Sequence, residues 1–256
     1  MFQSKYKLVS IIFVIILGII LIYNSLNFKL DASSDTLILQ NDKDFKYFKY
    51  YNEIFPNKNF LVLALKSNKI DQDFISFVNK IESSLSKIEN IDSIFTIADA
   101  PILISSNIKL NDLNKKTIPT LKNSQLDLSI VLKEFSESPI FKDQIISKNQ
   151  QVSALIIYPK IDQQFYELKK EKDLILEKQN EYSSDMKKIF SQYKLAKENY
   201  NKKRHDLIYK IRSELKELNI PYEYFLGGID MIADDTISYV KKDILIFGFS
   251  VTGFLI

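Results

Sequence analysis

Residues 60–97 read FLVLALKSNKIDQDFISFVNKIESSLSKIENIDSIFTI, and this stretch decides the fold. Phe60–Lys66 is a short continuous apolar run bounded by Asn57 and Asn59 on one side and Ser67-Asn68 on the other, the pattern of a buried strand. From Asp71 to Asn90 the apolar residues Phe74, Ile75, Phe77, Val78, Ile81, Leu85 and Ile88 fall mostly at three- and four-residue steps. That spacing predicts an amphipathic helix, with Asp71 or Asp73 near its start. Ile91–Ile97 then roughly alternates apolar and polar residues and reads as a second strand, after which Pro101 ends regular structure.

Working outward, the stretch from Ser105 to Gln150 is polar, broken by Pro119 and Pro139, with one helix predicted over Leu126–Phe135. It reads as an excursion with little core of its own. Val152–Tyr158 is a third strand stopped by Pro159, and Tyr222–Leu226 a fourth stopped by Gly227-Gly228. Between them, residues 162–218 contain neither Gly nor Pro. Tyr182, Met186, Ile189, Tyr193, Ala196 and Tyr200 recur there at alternating four- and three-residue steps, a heptad seam. One uninterrupted helix of this length would reach roughly 85 Å. A break near Asn180–Ser184, with Ser183 or Ser184 as a cap, folds it instead into an antiparallel hairpin and returns the chain to the sheet. The predicted order is βαββαβ, a ferredoxin-like split βαβ arrangement whose right-handed crossovers place both helices on one face.

The chain has 256 residues, with 35 Lys+Arg against 32 Asp+Glu and a formal net charge of +3. So small an excess argues against nucleic acid as a partner. There is no cysteine, which excludes disulfide scaffolds, thiolate zinc sites and cysteine nucleophiles. One histidine and five glycines make a His-based metal site or a Gly-rich phosphate loop improbable. The expectation is therefore no enzyme, no catalytic residue, no metal and no cofactor.

Apolar residues concentrate at the two ends. Leu8–Tyr23 reads LVSIIFVIILGIILIY, and the uncharged stretch runs on to Phe28, roughly 31 Å of helix at ~1.5 Å per residue. That length and its all-round apolarity predict a membrane crossing. Lys5 and Lys7 before it predict a cytoplasmic N-terminus. Ile244–Ile256, ILIFGFSVTGFLI, is too short to cross and reads as the start of a second crossing, with Gly248, Thr252 and Gly253 as a small-residue face. The expected fold class is thus an α+β membrane protein fragment. Its parts are a cytoplasmic N-terminus and transmembrane helix 1 over 1–28, an exported porter-like domain over 29–243 with the long helical segment 162–218, and a truncated transmembrane helix 2 over 244–256.

Four stretches resemble the resistance-nodulation-division (RND) transporter superfamily, in particular its MMPL-like branch of lipid and hydrophobe exporters that includes the hopanoid transporters. They are Leu30–Leu37 (LDASSDTL), Phe45–Asn59 running into Phe60-Leu61-Val62-Leu63, Arg204-His205-Asp206-Leu207 with Ile211-Arg212, and Leu226–Asp235 (LGGIDMIADD) leading to Lys242-Asp243-Ile244. The resemblance implies the N-terminal part of a proton-driven efflux transporter for hydrophobic or amphiphilic molecules, lipids or drugs. It implies residence in the bacterial inner membrane, a periplasmic main domain, and membrane lipids, the remainder of the transporter and further copies of itself as partners. Neither apolar end contains an ionisable residue, so the proton-motive force would act through residues outside this chain.

The residues singled out follow from this reading. Gly227-Gly228 lets the chain leave a strand and enter a helix, since glycine accepts φ > 0. Asp230 is read as N-cap of a helix beginning at Met231. Asp234 and Asp235 are adjacent on that helix and point apart, so they serve coupling and solvation rather than a shared ligand. Phe45, Phe48 and Tyr51 are candidates for an apolar substrate path. His205 reads as a surface histidine whose neighbour Asp206 faces elsewhere. Two other readings stay open: a membrane-anchored scaffold or adaptor recruiting partners through the coiled-coil seam, and, more weakly, an exported enzyme using Asp234-Asp235.

Overall fold

The computed structural model describes residues 43–55, 59–106, 118–177 and 184–255, with the isolated helical positions 13, 16, 18, 20 and 23. The chain divides into two compact units, Lys46–Asp235 and Met1–Phe45 together with Thr236–Ile256. In chain order the elements are α1 (Lys43–Ile54), β1 (Leu61–Lys66), α2 (Gln72–Leu85), β2 (Ile91–Phe95), α3 (Leu128–Glu137), β3 (Val152–Pro159), α4 (Gln163–Glu177), α5 (Ser184–Glu217), β4 (Glu223–Gly227) and α6 (Ile229–Leu255).

The unit Lys46–Asp235 is built on a four-stranded sheet in the order β2-β3-β1-β4, with every neighbouring pair antiparallel. Two βαβ units interleave in this order, so β1 and β3, the most apolar strands, occupy the centre. The register opposes Leu61 to Ile157, Leu63 to Leu155 and Leu65 to Ser153, all buried and all on one face. Alternation of side chains along a strand makes that face the core and leaves Val62, Ala64 and Ile156 half-buried on the other. There Phe225, opposite Ala64, stands exposed.

Helix α2 is capped by Asp71, whose carboxylate accepts the Phe74 N–H at 3.0 Å. It buries Phe74, Ile75, Val78, Ile81 and Leu85 into the same core as Leu207, Ile208, Ile211 and Leu215 of α5. Both crossovers therefore cover one face. Ser84 of α2 donates a hydrogen bond to Glu214 of α5 where the two helices meet.

Strand β2 ends at Phe95 rather than Ile97, because Asp99 draws the next residue into a turn. Its Oδ2 accepts both the amide and the hydroxyl of Thr96, at 3.0 and 2.8 Å. The excursion after Pro101 also departs from expectation. Val131, Leu132 and Phe135 of α3, with Phe141, Ile145 and Ile146 beyond it, are buried members of the core. Helix α3 starts later than the pattern suggests, because Asp127 is its N-cap and accepts the Ser129 N–H at 2.7 Å.

Glu134 of α3 holds the excursion together. Its carboxylate accepts the successive amides of Leu103, Ile104 and Ser105 at 2.9, 3.0 and 2.8 Å. Burial alone would raise this carboxyl, but the amides of Ile104, Ser105 and Leu103 outweigh it and hold the group below the usual glutamate range. A depressed carboxylate stabilises above its unfolded value and loses that contribution as pH falls through the folded one. Glu134→Gln is expected to cost about 1 kcal/mol at neutral pH, the scale of charge-assisted bonds in a partly screened place. Urea melts at pH 7 and below pH 4 check this: the gap between variant and parent should close on acidification, and a constant gap would show that charge is not the cause.

The long segment 162–218 forms two helices, α4 and α5, that pack antiparallel. Phe165 of α4 stacks on Tyr200 of α5 at 4.3 Å, while Lys172, two turns on, lies 4.3 Å from the Tyr193 ring. The predicted break at 180–184 lies outside the described residues up to Ser184, where α5 begins.

One expectation is overturned. Among the described residues no helix is long and apolar enough to cross a membrane. Helix α6 is long and continuous, but Lys241, Lys242 and Asp243 interrupt its apolar sequence, and the apolar remainder from Ile244 to Leu255 reaches only about 18 Å. The architecture of a membrane protein fragment with transmembrane helices at both ends is corrected to an α+β fold on an antiparallel sheet. Most of Leu8–Phe28 lies outside the described residues; Phe13, Ile16, Ile20 and Tyr23 are helical and exposed. In the unit containing Thr236–Ile256, α6 exposes Phe247, Phe249, Val251 and Phe254.

Candidate functional site

Asp162, just before α4, organises the base of the helical hairpin. Its Oδ1 accepts the Phe165 N–H at 3.1 Å, as an N-cap does, and its Oδ2 accepts Lys203 Nζ of α5 at 2.7 Å. The Lys203 hydrogen bond is the main reason the carboxyl lies below the ordinary aspartate range, with the Phe165 amide adding to it. Ring stacking does the rest: Phe165 lies parallel to Tyr200 and 5.9 Å from Tyr193, which turns the heptad seam inward against α4.

Beside this base lies a partly open cavity of about 130 Å³. Its apolar lining comes from Leu61, Leu207 and Ile208, all buried, with Pro159 and Ile161. Asn59, Asn90, Tyr166 and Tyr200 line it with amide and phenol groups. Asn59 donates to the Tyr166 and Tyr200 hydroxyls at 3.3 and 3.4 Å. Burial first, then the Asp230 carboxylate and Tyr166, push the Tyr200 phenol far up, so it stays protonated as a donor. Lys160, Asp162, Lys203, Arg204 and Asp230 complete the lining.

Arg204 is the unusual member. Its side chain is 11% exposed and its Nη1 lies 3.6 Å from Asp230 Oδ1, too long for a hydrogen bond. Its Nε is buried and without a hydrogen-bond partner among the described residues. Orphaned buried donors are uncommon and call for an explanation.

Two further contacts join α5 to the start of α6. His205 Nδ1 shares a hydrogen bond with the buried Asp234 at 3.0 Å, and Arg212 meets Asp235 bidentately at 2.9 and 2.8 Å. Together with Arg204–Asp230 they hold the first turns of α6 against the second half of α5.

Gly228 has φ +139°, and a Cβ there would sit 2.8 Å from the Phe60 carbonyl oxygen. Gly227 closes β4 with open space around it. Asp230 is not an N-cap, because α6 begins at Ile229 and Gly228 accepts the first helical bond from Ile232. Its carboxylate turns to Arg204 instead. Asp234 and Asp235 reach different partners, and His205 finds its carboxylate on α6 rather than in its neighbour Asp206. Phe48 and Tyr51 are exposed on α1 and do not line the cavity, while the Phe45 side chain lies outside what is described. The cavity residues Asn59, Asp162, Tyr166, Tyr200 and Arg204 escape the sequence reading as a group. The available signal is Arg204, a charged residue next to an apolar helical face at Leu207 and Ile208.

No protein-family model matches the chain, and no curated protein matches it.

Proposed function

We propose that this chain is the substrate-handling part of an exporter of hydrophobic or amphiphilic molecules, not an enzyme. The observation that carries the reading is the mixed lining of the cavity at the base of the α4–α5 hairpin. Apolar Leu61, Leu207 and Ile208 occur in it together with phenols, amides and charged groups. Such a lining suits a molecule that has both apolar and polar parts. The resemblance of 204–212 and 226–235 to RND transporters of the MMPL-like branch points the same way. The domain then works on the periplasmic side of the bacterial inner membrane, with membrane lipids, the remainder of the transporter and further copies of itself as partners. The proton-driven step belongs to residues outside this chain.

The packing of the hairpin favours the exporter reading over the adaptor one. Tyr193 and Tyr200 of the seam stack on Phe165, and Ala196 is buried, so the seam that would recruit a partner is spent inside the hairpin.

The test is binding. The full 256-residue chain, titrated calorimetrically with decyl maltoside and decanoate below their micellar concentrations, should bind at least one with a Kd of roughly 1–100 μM. If neither binds, the exporter reading falls, and turnover of an ester or phosphate substrate that Asp234→Asn/Asp235→Asn abolishes would put an enzyme in its place.

A further inference from the structure

The cavity lining holds three cations, Lys160, Lys203 and Arg204, against two carboxylates, Asp162 and Asp230. Their engagement is uneven. Lys203 and Asp162 form a close pair at 2.7 Å, which cancels both. Arg204 faces Asp230 at 3.6 Å and keeps a buried Nε without a partner among the described residues. Lys160 is exposed at the rim, and its ammonium has no carboxylate partner among the described residues. The lining therefore carries one more positive charge than negative, and the Arg204 guanidinium is a planar fork suited to oxyanions. The same lining includes the apolar Leu61, Leu207 and Ile208. Size narrows the ligand further, since a cavity of about 150 Å³ holds a benzene-sized molecule, and this one measures about 130 Å³.

We infer that this cavity binds the anionic headgroup, carboxylate or phosphate, of a single-chain amphiphile. Arg204 and Lys160 face the oxyanion, Leu61, Leu207 and Ile208 face the first methylenes, and the rest of the chain leaves through the open side. This rests on the substrate-handling reading and gives it a substrate class.

The experiment is calorimetric titration of the full chain with decanoate, decyl phosphate, decyl maltoside and inorganic phosphate, all below micellar concentrations. The two anionic amphiphiles should bind about tenfold more tightly than decyl maltoside, the scale of one charge-assisted contact. They should exceed inorganic phosphate by about a hundredfold, because a few methylenes leave water. Arg204→Gln should weaken the anionic amphiphiles about tenfold and leave decyl maltoside within about twofold. Lys160→Gln, on the rim where folding is not at stake, should weaken them about threefold, and it decides the matter should Arg204→Gln not fold. Anionic and neutral amphiphiles binding equally, or anionic binding unmoved by Lys160→Gln and by a folded Arg204→Gln, overturns the headgroup assignment and leaves the substrate-handling reading standing. Inorganic phosphate binding as tightly as decyl phosphate overturns it in favour of a free-anion site. No binding by any amphiphile removes both.

Discussion

Gly228→Ala is expected to destabilise the protein by about 3 kcal/mol, the sum of strain at a positive φ and a steric clash. The backbone at Gly228 has φ +139°, a region L side chains rarely adopt. A methyl group there would lie 2.8 Å from the Phe60 carbonyl oxygen, 3.0 Å from Leu61 Cδ2 and 3.2 Å from Leu61 Cα. Two of these three atoms are backbone, at the start of β1, where Leu61 is paired with Ile157 of β3 and the next residue, Val62, with Gly227 of β4, so the chain there has no cheap way to yield. Gly227→Ala is the control. Nothing lies within 4 Å of the place its methyl group would take, and the residue ends a strand, where alanine is preferred to glycine by about 0.5–1 kcal/mol. Urea midpoints should fall for position 228 and hold or rise for position 227; equal shifts would show that the close approach to β1 is not what the glycine serves. The same turn brings Asp230 beside Arg204, so amphiphile affinity should drop with the first variant even under conditions where it stays folded.

Phe74→Ala should cost about 4 kcal/mol, at the upper end for a core aromatic. Phe74 is fully buried on α2, and its ring meets Tyr222 edge-on at 4.9 Å and 64°. Phe77 approaches the same Tyr222 at 5.7 Å, so one tyrosine at the entry to β4 is clasped by two rings of the first crossover. Burial is also the first cause that pushes the Tyr222 phenol up, followed by the Asp71 and Asp73 carboxylates at the start of α2. Removing the Phe74 ring leaves a cavity between the two crossovers, where neighbours from α2 and α5 are already close-packed and relax only partly. Phe74→Leu keeps most of the volume and should cost about 1.5 kcal/mol. Equilibrium denaturation of the two variants checks the pair. Equal losses would mean that ring-on-ring geometry, rather than filled volume, supplies the stability.

What is readable in the chain is local. Strands β1 and β3 stand out as short apolar runs, and α2 by its three- and four-residue steps, because each element buries one face and the spacing of apolar residues records which. The long helical segment is readable from its seam, and a hairpin is favoured over one helix only by the need to return the chain to the sheet. Boundaries slip where a side chain outside the element decides them: Asp99 ends β2 early, and Asp127 starts α3 late. The excursion is hard to weigh from sequence because Val131, Leu132 and Phe135 are few and flanked by polar residues. Their burial depends on Glu134 gathering three amides nearly thirty residues earlier in the chain. The expectation of membrane helices rests on the length and apolarity of the end runs. In α6 the charges at 241–243 shorten the apolar stretch below a bilayer's thickness.

The cavity divides the two kinds of information most clearly. Composition and periodicity on their own determined which stretches are strand or helix, that a long helical segment follows β3, and that a glycine turn leads from β4 into a helix. Only tertiary structure brought Asn59, Lys160, Asp230 and the Tyr200–Arg204 pair of α5 to one place, since they come from four separate parts of the chain. It alone left Arg204 half-paired, because the distance between two side chains on α5 and α6 is set by how both helices pack on the sheet, and no spacing within either helix encodes it.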